Sequence, residues 1–428
     1  MVDIVVKRGL SLSLPGGVTG TDIEKRPLPR HVAVDLTPFP FVRIKLLVKV
    51  GDRVAAGEPV VSNKACAEHV WTAPAAGTVV DIVRGEKRRI RYVVIETSKE
   101  QPDHHHETPV SGGLYTFLRS RPCHVLPLPS ERPTSIFVSA LSSAPFLPPA
   151  ELQLAGYEAE YAAGIAYLAE IAPVHVVHVP RMQLPQTAAH HHTASGPHPA
   201  GNASVHIAAI DPIRSPTQRV WTARLTDVIE IGYLVVHKRA LTTRLVALAG
   251  ESLPEASRRY LRIAKGFPIR ELPEGALGGE GVRRIVGDPL MGRRVSIDAY
   301  IGDSVLCFMP EPTERRRPFH FLRFTGRTAT RTYFNAGRPA HSYTTHQHGE
   351  ERPFVDGSIY DRVMPLPIST MLLTKAILAE DYEKAEQLGL LEVAPEDFAL
   401  PTYVCPSKID IVGIVERGLE KYAEIALV

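Results

Sequence analysis

The sequence predicts a multidomain chain of α/β and α+β units. An all-β unit comes first, then an α/β domain on a largely parallel sheet, a small α+β domain, and a helical carboxyl-terminal section. Three observations carry this. Residues 48–95 alternate short β-branched runs with glycine turns. Residues 135–179 read as strand, helix, strand. Residues 369–425 carry helix caps and apolar residues at helical spacing. A length of 428 residues suits roughly two to four domains, expected at 1–100, 101–240, 241–330 and 331–428.

The amino-terminal unit rests on Val48-Lys49-Val50, residues 58–61, residues 79–83 and residues 92–95 as strands. Gly51, Gly57, Gly77 and Gly85 supply the turns. Ile4-Val5-Val6-Lys7 forms a further strand that completes this unit or packs on a neighbour. The pattern resembles a barrel-sandwich hybrid, the fold of lipoyl and biotinyl carrier domains. In those domains a lysine at a hairpin tip carries the cofactor, and Lys64 stands near that tip, ahead of Ala73-Pro74-Ala75-Ala76-Gly77. The return to Ala73 is about two residues too long for a carrier hairpin, which moves the lysine off the exposed turn. A solvated loop lysine is therefore the reading, and a carrier protein with a modified Lys64 is the alternative.

A polar linker with His104, His105 and His106 follows. Adjacent histidines point in different directions and do not converge on one ion, so these, and His190, His191 and His192, read as solvated. Ser135 to Ala140 reads as a buried strand. Residues 151–171 read as one helix with Leu154, Tyr157, Tyr161 and Ile165 on its apolar face. Residues 174–179 give the second strand. No GxGxxG follows either strand, so nothing supports dinucleotide binding. Gly196-Pro197-His198-Pro199-Ala200-Gly201 is a rigid loop whose His198 is either a proton donor to a bound headgroup or a turn histidine. Residues 225–232 and 244–250 read as strands around a turn. Residues 241–312 read as short strands with a helix at 255–265, a pattern that suits a β-grasp. Residues 283–292 form a strand and turn. Glu314-Arg315-Arg316-Arg317 is a basic knot, either solvated or facing an acidic partner or lipid headgroups.

Ser369 or Thr370 caps a helix that runs through Leu378. A second helix, 380–388, stops at Gly389. A third, 409–425, carries Ile411, Val415, Leu419 and Tyr422 as a stripe for the core or for docking. A net charge of +3 argues against a nucleic-acid partner. No apolar run is long enough to cross a bilayer, and the amino terminus lacks a signal-peptide layout. The four cysteines, Cys66, Cys123, Cys307 and Cys405, form no CxxC pair, which fits a reducing compartment and no zinc or iron–sulfur motif.

Several segments in order carry a resemblance that spans nearly the whole chain. They are Lys7-Arg8-Gly9-Leu10, Thr72 to Gly77, Arg84-Gly85-Glu86-Lys87-Arg88, Leu118-Arg119-Ser120-Arg121-Pro122, Gly196 to Gly201, Asp227-Val228-Ile229, Arg362-Val363-Met364-Pro365 and Val404-Cys405-Pro406. Together they resemble the A-subunit family of bacterial Na+-translocating NADH:quinone reductases. That family is related to the C subunit of the Rnf complex and to the flavin-bearing subunit of respiratory complex I. The resemblance implies a third domain like the soluble-ligand-binding β-grasp. It also implies a peripheral subunit on the cytoplasmic face of the inner membrane, within a complex that couples NADH oxidation to Na+ export. Ubiquinone is then the substrate, FMN, FAD and iron–sulfur centres belong to partner subunits, and the membrane subunit with covalent FMN is the main contact. In this chain the glycine loop of the flavin-bearing relatives is reduced to Ser111-Gly112-Gly113-Leu114-Tyr115, too short to cradle a phosphate. Only Cys405-Pro406 matches a cluster motif, and one thiolate holds no cluster. No cofactor is expected on this chain. A quinone site needs an apolar slot and donors for two carbonyl oxygens. The candidate donors are Arg119, Arg121, His198 and His206, and no residue reads as a nucleophile or general base.

Overall fold

The computed structural model describes residues 1–311, 345 and 350–426. The chain begins by joining sheets that lie far along the sequence. β1 (Asp3–Val5) pairs in parallel with a strand at 190–195, and β2 (Ile23–Lys25) pairs in parallel with one at 259–264. The first strand therefore packs on a neighbouring unit and does not complete the barrel.

The barrel follows as β3 (His31–Asp35), β4 (Ile44–Leu46), β5 (Arg53–Val54), β6 (Pro59–Asn63), β7 (Val70–Thr72), β8 (Gly77–Arg84) and β9 (Ile90–Thr97). It is two facing sheets, ordered β3-β9-β8-β5 and β4-β6-β7, around Val32, Val34, Val60, Val61, Val79, Val93 and Ile95. The strand expected at 48–50 lies earlier, because β6 pairs with residues 44–46 and the Asp52 carboxylate accepts the Lys49 N–H and bends the chain into a turn.

The second sheet holds β10 (Arg119–Arg121), β11 (Ser135–Ala140), β12 (Val174–His178), β13 (His190–Ser195) and β14 (Val220–Arg224). Its order is β1-β13-β12-β11-β14-β10, parallel except for β10 against β14. The helices are α1 (Ala150–Leu154) and α2 (Glu158–Ala169) after β11, α3 (Ala203–Ile210) after β13, and α4 (Leu225–His237) after β14. The expected single helix at 151–171 is thus broken, at Ala155-Gly156. The strand expected at 225–232 is instead the start of α4. Asp227 accepts the Arg224 N–H at 2.8 Å and closes the first turn. Val228, Ile229, Ile231 and Leu234 are then buried on several sides at once, which hides the helical period. α2 and α4 cover one face of the sheet, with Tyr161, Ile165, Leu168, Val228 and Ile231 in the shared core. The contact is close: a Cβ on Gly232 would stand 1.6 Å from the Glu160 carbonyl oxygen.

A third sheet is built from β15 (Thr243–Ala249), β16 (Arg259–Ala264), β18 (Val282–Val286), β19 (Arg293–Val295) and β21 (Val305–Pro310), with β17 (Phe267–Pro268) and β20 (Tyr300–Ile301) as a separate pair. Its order is β19-β18-β21-β15-β16-β2. The helix expected at 255–265 is only the 3-10 turn Glu255–Ser257, since residues 259–264 pair with β15 on one side and β2 on the other. Two-sided backbone pairing outweighs the weak helical preference of such a short run. The basic knot at 314–317 lies outside the described residues.

The helices Ser358–Asp361, Thr370–Leu378, Tyr382–Gln387, Ala399–Val404 and Ile411–Ala426 complete the described chain. Ser369 stands at the cap position of the second, and Gly389 follows the third with φ +99. Ile411, Val415, Leu419 and Tyr422 are all buried. They share one core with Phe137, Val177, Val205, Ile207 and Val220, so the helices cover the face of the second sheet opposite α2 and α4.

Candidate functional site

Of the four candidate donors, Arg121 is the most enclosed, with 1% of its surface exposed. It ends β10, the edge strand, and turns into the layer between sheet and carboxyl-terminal helices. Nη1 donates to Ser204 Oγ at 3.0 Å and Nη2 to the Glu392 carbonyl at 2.8 Å. Nε is buried without a partner. Burial lowers the guanidinium's affinity for its proton, and the Asp397 charge works the other way. Asp397 sits in the same layer, accepting Asn202 Nδ2 and the Ala394 N–H, both at 2.8 Å. Burial, then the Glu396 charge, hold its carboxyl above the usual range.

Arg119 lies two residues back on the same face of β10. It donates to the carbonyls of Leu118 and Thr116, and its guanidinium carbon stands 5.2 Å from the Phe39 ring centre. Burial lowers its pKa as well. His124 completes the group, 3.9 Å from Glu396, and burial together with the two arginine charges keeps it neutral.

His198 and His206 flank the start of α3. The Ser143 hydroxyl lies 2.9 Å from His198 Nδ1 and accepts the Gly201 N–H at 2.9 Å. His206 Nε2 donates to the Ala200 carbonyl at 2.8 Å, which leaves Nδ1 a bare, buried lone pair without a partner. Burial pushes both imidazoles down to about 4. The parallel strands run in spatial order β13-β12-β11-β14, so the winding reverses between β11 and β14. In such sheets ligands sit beyond the carboxyl ends of the strands near the reversal. Ser143 follows β11 and His198 follows β13 at that end.

Arg121, Ser204 and His206 thus meet at the head of α3, with His198 one turn of loop away and Arg119 beside Arg121 on the strand. Sequence reading missed His124, Asn202, Ser204 and Asp397. They are scattered over 124–397 with no shared motif, so only the fold brings them together. The arrangement offers hydrogen-bond donors to an oxygen-bearing ligand and a carboxyl that keeps its proton to higher pH. Grooves of about 370 Å³ and about 350 Å³ lie elsewhere, the first between barrel and third sheet and the second beside α1, and none of the four donors lines them.

Other singled-out residues have plain places. Lys64 is exposed in the turn after β6, contrary to the expectation that a longer hairpin would draw it off the exposed turn; its N–H donates to the Arg43 carbonyl at 2.7 Å. The histidine runs are not simply solvated. His106 is buried, and residues 190–192 belong to β13, where His192 is 5% exposed. The Val2 N–H donates to His192 Nδ1, so Nε2 carries the proton and faces His175 Nδ1 at 3.1 Å. Among the described residues no three side chains are grouped to hold a metal. The short glycine loop is a packing device: a Cβ on Gly113 would meet the Val70 carbonyl oxygen at 2.5 Å, so this loop lets the second domain seat on β7. Cys405 is buried, with Sγ 3.1 Å from the Tyr360 hydroxyl and accepting the Ile409 N–H.

Two family models match the chain, the NqrA N-terminal barrel-sandwich hybrid domain over residues 4–98 and the NqrA second alpha/beta domain over residues 103–239. Among curated proteins, the Na(+)-translocating NADH-quinone reductase A subunit of Chlamydia trachomatis serovar L2 is 35% identical, over 98% of both chains. The protein of the same name from Chlamydia pneumoniae is 33% identical over 98% of this chain and 97% of its own. That from Saccharophagus degradans is 33% identical over 98% and 99%. With end-to-end identity at this level to relatives of one name, and with both family domains in sequence, the chain belongs to the NqrA family, the A subunits of Na+-translocating NADH-quinone reductases.

Proposed function

We propose that the chain works as the A subunit of a Na+-translocating NADH:ubiquinone reductase, within an assembly that couples NADH oxidation to Na+ export. In this reading it is a peripheral subunit on the cytoplasmic face of the inner membrane. It docks on membrane partners, chiefly the one with covalent FMN, and leaves flavins and iron–sulfur centres to other subunits. The observation that carries the reading is the 33–35% identity along 98% of the chain to proteins of that name. No helix among the described residues is long and apolar enough to cross a membrane. The third sheet, in which β15 and β21 run parallel at the centre, we read as a β-grasp of the soluble-ligand-binding kind.

For quinone, the reading assigns contact to the layer around Arg121, Arg119, His198 and His206. As a quinone is reduced, negative charge develops on its carbonyl oxygens, and donors held in a dry layer stabilise that charge more than they would in water. Arg121 and Arg119 are such donors. Asp397, with its raised pKa, is the proton source closest to them.

The test is affinity capture of the tagged chain from mildly solubilised membranes of its own host. Recovery of flavin-bearing membrane subunits with Na+-stimulated NADH:quinone reductase activity supports the reading. Elution of the chain alone from the soluble fraction overturns it and reopens the carrier alternative, which an intact-mass increase on Lys64 would reveal.

A further inference from the structure

Residues 41–49 alternate with strict period two. Val42, Ile44, Leu46 and Val48 pack on the barrel core, while Phe41, Arg43, Lys45, Leu47 and Lys49 face outward and are exposed. Val50 continues the outward run, and Lys64 lies beside Arg43 across the β4–β6 ladder. The outer face therefore sets three large apolar side chains among four cations. Phe41 is 44% exposed, Leu47 45% and Val50 56%. No ion pair involves Arg43, Lys45, Lys49 or Lys64 among the described residues, although fifteen are formed elsewhere. The nearest carboxylate along the chain, Asp52, accepts the Lys49 backbone N–H.

Lysines on an edge strand such as β4 discourage edge-to-edge pairing, but that role does not call for an exposed Phe41, Leu47 and Val50 between them. Protein interfaces are depleted in lysine at their centres. Apolar side chains ringed by unpaired, long-stemmed cations fit an interface between water and lipid, where the rings and branched chains enter the headgroup region and the cations meet phosphates. We propose that this barrel face, residues 41–50 with Lys64, is a contact for a bilayer surface bearing anionic headgroups. The proposal goes beyond a subunit role, since it needs lipid and no partner protein. It also gives Lys64 a use that requires no modification.

The test is cosedimentation of the purified full-length chain with vesicles of equal parts phosphatidylglycerol and phosphatidylcholine, against vesicles of phosphatidylcholine alone. Wild type is expected to bind the anionic vesicles, and to bind less as salt is raised. Each surface cation contributes about fivefold to partitioning, so Arg43→Gln with Lys64→Gln should weaken it roughly thirtyfold. Leu47→Ser should weaken binding without changing its salt dependence. Both changes sit on the solvent face, and an unchanged melting temperature confirms folding. Equal binding to the two vesicle types, or unaltered binding by the double variant, would overturn the proposal. So would loss of membrane-subunit capture by the double variant with vesicle binding intact, which would make the face a protein contact.

Discussion

His206 shows at the scale of one residue how burial creates a pH dependence. Its pKa is near 4 in the folded protein and about 6.5 in an unfolded chain. Between those values the unfolded chain takes up a proton that the folded protein refuses. Stability is therefore full above about pH 6.5 and declines as pH falls toward 4, by about 3 kcal/mol for this residue. His206→Gln keeps a neutral N–H donor for the Ala200 carbonyl. Denaturant titrations should show stability at pH 7 within about 1 kcal/mol of wild type, with a shallower fall between pH 6.5 and 4. His198 follows the same sign but has a second use in this account. His198→Gln should raise the quinone KM of the assembled enzyme about tenfold, equivalent to about 1.4 kcal/mol of binding, while NADH oxidation by artificial acceptors is unchanged. An unaltered quinone KM would remove His198 from the site. Residue chemistry alone suggested Arg119, Arg121, His198 and His206, because arginine and histidine are the usual donors to carbonyl oxygens. It was silent on Asp397 and Ser204, since the value of each lies in what it touches.

At the scale of the element, most strands and the last three helices were legible because their apolar residues repeat with a clear period. Ile411, Val415, Leu419 and Tyr422 announce their helix and are buried together. α4 was not legible: its β-branched run is buried on several sides, and only the cap by Asp227 marks a helix start. The 255–265 segment failed for the reverse reason, because backbone pairing on both edges made a strand of it. The α2–α4 contact is the most confined in the molecule, with the Gly232 and Gly164 backbones nearly touching. Gly232→Ala should force the helices apart and cost about 2–4 kcal/mol, where a surface glycine-to-alanine change in a helix would stabilise by up to about 1 kcal/mol. Thermal melts of Gly232→Ala decide this. Leu419→Ala should cost about 2–5 kcal/mol by leaving a cavity beneath the carboxyl-terminal helices. A loss below about 1 kcal/mol would mean that those helices do not seal the sheet.

At the scale of the whole molecule, the first 25 residues tie distant parts together. β1 extends the second sheet and β2 the third, on either side of a barrel that comes later in the chain. This could not be read from sequence, because a three-residue strand carries no mark of the sheet that receives it. Family membership, by contrast, was legible from segment order alone. What joins these scales is the claim that the chain is a working part of a sodium-pumping quinone reductase, and its sharpest check is made in membranes. Inverted membrane vesicles from a host lacking this chain, with and without the chain restored, are assayed for NADH-driven quinone reduction and Na+ uptake together. The account predicts that both activities are absent without the chain, return together with it, and are stimulated by Na+. Quinone reduction and Na+ uptake that persist at full rate in its absence would contradict the account.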